Sequence, residues 1–139
     1  MAEGRERLVA HLRVSVGAST RLGPGKADLL EAVGREGSIS AAGRRLGMSY
    51  ARAWRLVNEL EEGFGRPLVQ AARGGGGGGG ARLTPLGEQV LAAYRRMQAQ
   101  AEAAVAAEVA GLRALLSPPA SREGEAGEPA QAAPRVRWR

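Results

Sequence analysis

The chain has 139 residues, and its 20 lysines and arginines against 14 aspartates and glutamates give a formal net charge of +6 at pH 7. It contains no cysteine and one histidine, His11, which excludes a disulfide framework, a cysteine-ligated zinc site and a serine–histidine relay within one chain. No apolar run approaches the roughly 20 residues of a membrane span. We therefore expect a soluble, cytoplasmic protein that is not an enzyme, uses no metal or other cofactor and prefers polyanionic partners.

Composition divides the chain into three parts. Residues 1–7 are small and charged, which is typical of a flexible start, and residues 117–139 have the Ala, Glu, Gly, Pro and Arg content of a disordered tail. Residues 8–116 are expected to form one domain. Within it, residues 8–16 alternate apolar and polar side chains, which predicts a half-buried strand that completes either the sheet of a β-hairpin later in the chain, the wing, or a dimer.

Three helices are predicted next. The first covers about residues 26–35 and ends at Gly37, where a left-handed cap is expected. The second covers about residues 41–46, with Ser40 as its N-cap. A three-residue turn then leads to a third helix from Tyr50 to about Gly63, with Ser49 as its N-cap and an apolar stripe along one side.

The second half of the domain begins with a predicted β-hairpin, or wing. Its strands, about residues 68–70 and 81–83, flank seven consecutive glycines, Gly74–Gly80, which we expect to be disordered in the free protein and to lie along the DNA backbone when bound. A long helix is predicted to follow over about residues 86–116, with Thr84 as N-cap and Pro85 in the first turn. Apolar side chains recur along one side of this helix over its whole length, and a small domain cannot cover all of them, so we expect a homodimer. The residues expected to form the dimer contact are Leu86, Val90, Tyr94, Met97, Ala101, Val105 and Leu112.

This order of elements predicts a mainly α (α+β) fold, a winged helix-turn-helix. The major groove of B-DNA admits one α-helix, and the N-terminal turn of the third helix would offer its polar side chains to that groove. Arginine can pair bidentately with guanine, whereas hydroxyl groups and other arginines hold phosphates. The candidate DNA-binding residues are Ser40, Ser49, Tyr50, Arg52, Arg55, Arg73 and Arg82.

Several of these segments carry a family resemblance. These segments are GPGK at 23–26, GSISAA at 37–42, GMSY at 47–50, AW at 53–54 and GRPLV at 65–69. Together they resemble the N-terminal DNA-binding domain of ModE-type molybdate-responsive regulators. The similarity covers roughly residues 8–105 and extends more distantly to the LysR-type domain. It implies a winged-helix transcriptional regulator that dimerises through the long helix and contacts DNA with Ser49, Tyr50 and Arg52.

The same resemblance bears on an effector. Family members that sense molybdate carry a C-terminal oxyanion-binding domain of small β-barrels, whereas a short low-complexity segment follows Leu116 here, so we expect no ligand-binding domain. The sequence therefore favours a sequence-specific transcriptional regulator that binds double-stranded DNA as a homodimer at a partly palindromic operator. Two alternatives stay open: a winged-helix interaction or scaffold module that does not bind DNA, and an oxyanion (molybdate) sensor.

Overall fold

The computed structural model describes residues 7–73 and 79–118, so most of the expected flexible start and tail, and five of the seven consecutive glycines, lie outside the described residues. The described part contains, in order, β1 (Val14–Ser15), β2 (Arg21–Leu22), α1 (Pro24–Glu36), α2 (Ile39–Arg45), α3 (Tyr50–Phe64), β3 (Val69–Ala72), β4 (Gly80–Leu83) and α4 (Pro85–Ala114). This is the predicted winged helix-turn-helix. The chain divides into two compact units, residues 1–106 and 107–139.

The N-terminal strand differs from the prediction in both length and partner. Only Val14–Ser15 is a strand, and it pairs antiparallel with β2, with Val14 opposite Leu22, rather than with the wing. The preceding residues lack a ladder because their backbone is used otherwise: the carbonyl oxygen of Leu12 accepts a hydrogen bond from the Tyr94 hydroxyl. The alternating apolar side chains of residues 8–16 therefore reflect partial burial of an irregular segment.

The helix-turn-helix consists of α2, a short turn and α3. Gly37 ends α1 in the left-handed conformation (φ 79°), as predicted, and Gly47 takes the same conformation (φ 69°) in the turn between α2 and α3. Ala42 of α2 and Ala53 of α3 are fully buried where the two helices approach each other. These small side chains allow the close crossing that fixes the direction of α3.

The cap of α2 corrects the sequence prediction by two residues. Ser38, not Ser40, is the N-cap, and its Oγ accepts a 2.9 Å hydrogen bond from the amide of Ala41. Ile39 lies in the core at 5% exposure, so the helix begins one residue before Ser40 and places that serine inside its first turn. At the start of α3, by contrast, Ser49 is the N-cap as predicted, with its Oγ 3.1 Å from the amide nitrogen of Arg52.

Two clusters of buried side chains hold these elements together. One joins α1, α2, α3 and β4 and includes Leu29, Val33, Ile39 and Val57. The other joins β2, the second side of α1, the end of α3 and α4, and includes Leu30, Leu60, Leu68, Val90 and Tyr94. Because α1 and α3 contribute to both clusters, α3 is packed from two directions.

The wing is anchored at its base. Its strands pair antiparallel from Val69 opposite Leu83 to Ala72 opposite Gly80, and the Ala81 amide donates a 2.7 Å hydrogen bond to the carbonyl oxygen of Gly37. Thr84 begins α4 as predicted, since its Oγ1 accepts from the Gly87 amide at 3.0 Å while it donates to the carbonyl oxygen of Pro67 at 2.8 Å. These bonds fix the wing to the ends of α1 and α4.

Candidate nucleic-acid interface

The third helix has one buried and one exposed side. Ala53, Val57 and Leu60 are at most 1% exposed and face the core. Ser49, Tyr50, Arg52 and Arg55 are all exposed, so the residues that the sequence assigned to DNA contact are brought together on the uncovered first two turns. The hydrogen bond of the Ser49 cap stabilises the first turn of α3 and so holds the backbone that carries these side chains.

Two aromatic side chains extend this surface toward the wing. Tyr50 is 58% exposed and Trp54 38% exposed, and their rings meet edge to face with centroids 6.2 Å apart. They stand one helical turn apart on the same side of α3. Trp54 therefore lies at the margin of the helix-turn-helix core rather than inside it, and forms part of a continuous surface with the candidate DNA-binding residues.

A cleft of about 860 Å³ separates this side of α3 from the wing. The start of α2 and the two wing strands form its other walls, so all three elements that the fold offers to a nucleic acid meet here. Polar and aromatic side chains that line it include Ser38, Ser40, Arg44, Tyr50, Trp54 and Gln70. Of these, Arg44 and Gln70 were not singled out by the sequence analysis, although the four-residue spacing of Ser40 and Arg44 on α2 was a detectable signal.

The wing stands beside α3 because a carboxylate ties the two together. Glu61, in the last turns of α3, accepts hydrogen bonds from the amides of Leu68 at 2.9 Å and Val69 at 3.2 Å. Arg73, which directly follows β3, and Arg82, which lies within β4, are both exposed. The wing arginines thus lie outside the core on an element whose base is fixed.

Ser40 makes a hydrogen bond to an arginine of its own helix. Its hydroxyl accepts a 2.9 Å hydrogen bond from Nη1 of Arg44 and so orients a guanidinium in the cleft wall. On the wing, Gln70 is opposite Arg82 in the strand register. With its amide oxygen turned toward the guanidinium, Gln70 accepts from Arg82 Nε at 2.9 Å and Nη2 at 3.3 Å.

The residues expected to form the dimer contact separate into two groups. Val90 and Tyr94, at 7% and 0% exposure, lie in the second core cluster of their own chain, which corrects their assignment to a subunit interface, and Leu86 and Met97 pack against that cluster. These four positions were assigned to an interface because the sequence pattern did not show that β2, α1 and α3 cover the first half of the seam. Ala101 and Val105 are half-buried, whereas Leu112 is 63% exposed.

Two further features concern the described residues alone. Among residues 7–73 and 79–118, no group of three histidine, aspartate or glutamate side chains is placed to hold a metal ion. No helix in those same ranges combines the length and apolarity needed to cross a membrane.

Comparison with known proteins connects this geometry to a family. Residues 26–88 match the family model described as bacterial regulatory helix-turn-helix protein, lysR family. The molybdenum-pterin-binding protein MopB of Rhodobacter capsulatus is 49% identical over 79 residues, which are 57% of this chain and 29% of MopB. MopA of the same organism is 38% identical over 87 residues, covering 63% of this chain and 33% of MopA.

A third relative is the molybdenum transport protein ModE of Azotobacter vinelandii, 33% identical over 99 residues, which are 71% of this chain and 37% of ModE. The chain thus spans about a third of the length of these curated relatives. Among solved structures, the crystal structure of the CbnR_DBD-DNA complex superposes with a TM-score of 0.51 at 25% identity, covering 63% of this chain and 95% of that one. Residues 26–88 therefore form a helix-turn-helix domain that is similar to those of the lysR family and to part of the ModE and Mop proteins.

Proposed function

We propose that this chain is a sequence-specific transcriptional regulator that binds double-stranded DNA as a homodimer at a partly palindromic operator. The observation that carries the proposal is the division of α3 into a buried side and an exposed polar one, with Arg52 and Arg55 uncovered. The similar solved structure is that of a DNA complex, which supports the same use of this helix. Such a regulator acts in the cytoplasm, where bacterial DNA lies.

The proposed roles follow from side-chain chemistry. Arg52 and Arg55 present planar guanidinium groups that can donate two parallel hydrogen bonds to guanine O6 and N7 in the major groove. Tyr50, with its exposed ring, and the Ser49 hydroxyl contact the nearby base edges or phosphates. Base reading is thus assigned to α3, because a helix fits the major groove and this one leaves its polar side uncovered.

The backbone contacts are assigned to the elements around the cleft. Arg73 and Arg82 of the wing, with Ser40 at the start of α2, hold phosphates on either side of the groove that α3 enters. Each phosphate neutralised releases counterions, so the logarithm of the affinity should fall by about 0.9 per contact for each tenfold rise in salt. Binding should consequently be steeply salt-dependent.

The homodimer is proposed through the part of the long helix that the chain's own core leaves uncovered. Leu112 is 63% exposed, and Ala101 and Val105 precede it at helical spacing with small or β-branched side chains. Light scattering should give twice the monomer mass at micromolar concentration, and Leu112→Arg should lower it toward that of one chain. Leu46→Arg is the matched control, since Leu46 is an exposed leucine outside this helix. A wild-type monomer at high micromolar concentration would contradict the dimer.

The test of DNA binding is selection of genomic fragments by the purified chain, followed by gel shifts at two salt concentrations. Because the relatives' names concern molybdenum, promoters of genes for molybdenum handling are the first to examine. We expect one enriched, partly palindromic sequence, bound at least a hundredfold more tightly than random duplex at physiological salt. An interaction module would enrich no sequence and would show no shift at either salt concentration, and that result would exclude the proposed function.

A further inference from the structure

The described arginines differ in the kind of group that accepts their hydrogen bonds. Arg95 donates to the carboxylate of Asp28 at 2.9 Å, lies 3.4 Å from that of Glu31 and also donates to the amide oxygen of Gln98 at 2.9 Å. Arg35 lies 3.6 Å from Glu31, so both arginines have a carboxylate partner. Arg44 and Arg82 instead donate to neutral oxygens, those of Ser40 and Gln70. The first pairs cancel the arginine charge, whereas the second pairs orient the guanidinium and leave its charge intact.

The two neutral pairs belong to the same feature of the molecule. Ser40 and Arg44 line the cleft on the α2 side, and Gln70 lines it on the wing side. Gln70 meets Arg82 directly across the β3–β4 ladder. One charge-retaining pair, Ser40 and Arg44, therefore lines the cleft beside α3, and the other adjoins it through Gln70, whose partner Arg82 lies opposite in the ladder. The acid-paired arginines lie on α1 and α4.

Among the described residues, the structure shows no hydrogen bond or ion pair between an acidic side chain of this cleft and Arg44 or Arg82. Glu61 lines it, but its carboxylate Oε2 accepts from the amides of Leu68 and Val69. Glu36 lines it at the end of α1 and is exposed to solvent. An anion entering the cleft would thus meet guanidinium groups with donors still available, since each guanidinium carries five N–H groups.

We propose that Gln70 and Ser40 are positioning residues that hold the guanidinium groups of Arg82 and Arg44 for phosphates of a DNA strand lying along the cleft. This inference rests on the proposed function and adds Arg44 to the residues that contact DNA. A guanidinium held before binding loses less side-chain entropy on contact with a phosphate, and charge-assisted hydrogen bonds of this kind are the stronger ones. A neutral acceptor supplies the orientation without competing with the phosphate.

The test is a pair of double-mutant cycles on the affinity for a selected duplex. Gln70→Leu should weaken binding about three- to tenfold, the range expected for one hydrogen bond, and should have no further effect in an Arg82→Gln background. Ser40→Ala should weaken binding more in the wild-type background than in an Arg44→Gln background, where only the phosphate contact of Ser40 itself remains to be lost. Equal losses in both backgrounds would show that Gln70 and Ser40 act independently of the arginines, and would overturn the proposal.

A second variant separates orientation from charge. Gln70→Glu keeps the acceptor geometry but cancels the charge of Arg82, so it should weaken binding as much as Arg82→Gln and lower the salt dependence by about 0.9 in log–log slope. Wild-type affinity for Gln70→Glu would contradict the proposal even if Gln70→Leu failed to fold. Arg35→Gln is the control, because this arginine is paired with Glu31, and it should leave affinity unchanged.

The possible results distinguish failure of the proposed DNA-binding function from failure of the positioning role of Gln70 and Ser40. If the wild-type chain binds no duplex at low salt, the proposed function itself fails. If the wild type binds duplex and the cycles are additive, only the positioning role fails. Thermal melts of each variant by circular dichroism establish that the compared proteins are folded.

Discussion

The hydroxyl group of Tyr94, in the middle of α4, donates a 2.7 Å hydrogen bond to the backbone carbonyl oxygen of Leu12, 82 residues earlier in the chain. The ring is fully buried among the side chains of β2, α1 and α3, and the neighbouring Arg95 binds Asp28 of α1. The irregular N-terminal segment is thereby attached to the same helix that packs against the helix-turn-helix. This bond, together with the packing of Leu12 against the second core cluster, holds in place a segment that forms almost no ladder of its own.

Tyr94→Phe should lower the free energy of unfolding by about 1 kcal/mol, since it removes one hydrogen bond and leaves the Leu12 carbonyl oxygen without that donor. Urea denaturation followed by circular dichroism measures the change. Tyr50→Phe is the matched control for stability, because the ring of Tyr50 is 58% exposed. Equal losses for the two variants would show that the Leu12 bond contributes nothing specific.

The same residue predicts a dependence of stability on alkaline pH. Burial raises the pKa of the Tyr94 phenol above its ordinary value of 10.0, although the positive charge of Arg95 opposes this. Because the folded-state pKa is the higher one, the stabilisation is complete below about pH 10 and is lost as the pH rises through the folded pKa. The stability advantage of the wild type over Tyr94→Phe should therefore shrink between neutral and strongly alkaline pH. An advantage that stays constant over that range would contradict the shift.

Gly87 lies where α4 passes closest to the wing base. A Cβ at this position would overlap the carbonyl oxygen of Leu68 and lie 3.3 Å from Cβ of Leu83. Gly87→Ala should therefore cost about 1–3 kcal/mol of stability, because backbone on one side and a strand on the other must move. Gly111→Ala on the same helix should instead gain about 0.5–1 kcal/mol, since, apart from the adjoining helix backbone, no atom of the described residues lies within 4 Å of the added methyl group. Denaturant midpoints of the two variants on opposite sides of the wild type would confirm the contact.

The two serines of α2 test the corrected cap. Ser38→Ala should destabilise the protein by about 1 kcal/mol because it removes the acceptor for the Ala41 amide. Ser40→Ala removes only an exposed bond to Arg44 and should change stability little. The reverse order of thermal stabilities would restore Ser40 as the cap.

Most of the fold was predictable from local signals. The helices were identified by their apolar spacing, and the starts of α3 and α4 by Ser49 and Thr84, whose caps the structure confirms. The start of α2 was missed because Ser38 and Ser40 have equal capping chemistry. Only the burial of Ile39, a tertiary effect, distinguishes them.

Long-range contacts account for the remaining differences. The hydrogen bond between Leu12 and Tyr94 joins residues far apart in the sequence, so no local pattern predicts it. The alternation of apolar and polar side chains in residues 8–16 therefore predicts a strand when the sequence is considered alone. The burial of Val90 and Tyr94 likewise depends on which elements cover α4. The exposed residues of α3 were predictable from helical periodicity, whereas the cleft and its two neutral arginine pairs required the placement of the wing.

Arg52 provides the sharpest distinction between base reading and simple attraction to phosphates. It is exposed in the first turn of α3, where its guanidinium could pair with two acceptors of one guanine. Arg52→Ala should weaken binding to the selected duplex by about 1–3 kcal/mol and relax specificity at one base pair. Arg52→Lys keeps the charge but not the planar fork, so it should retain affinity for random duplex while losing affinity for the selected one. Parallel titrations against both duplexes measure this difference, and equal losses on the two would assign Arg52 to the DNA backbone.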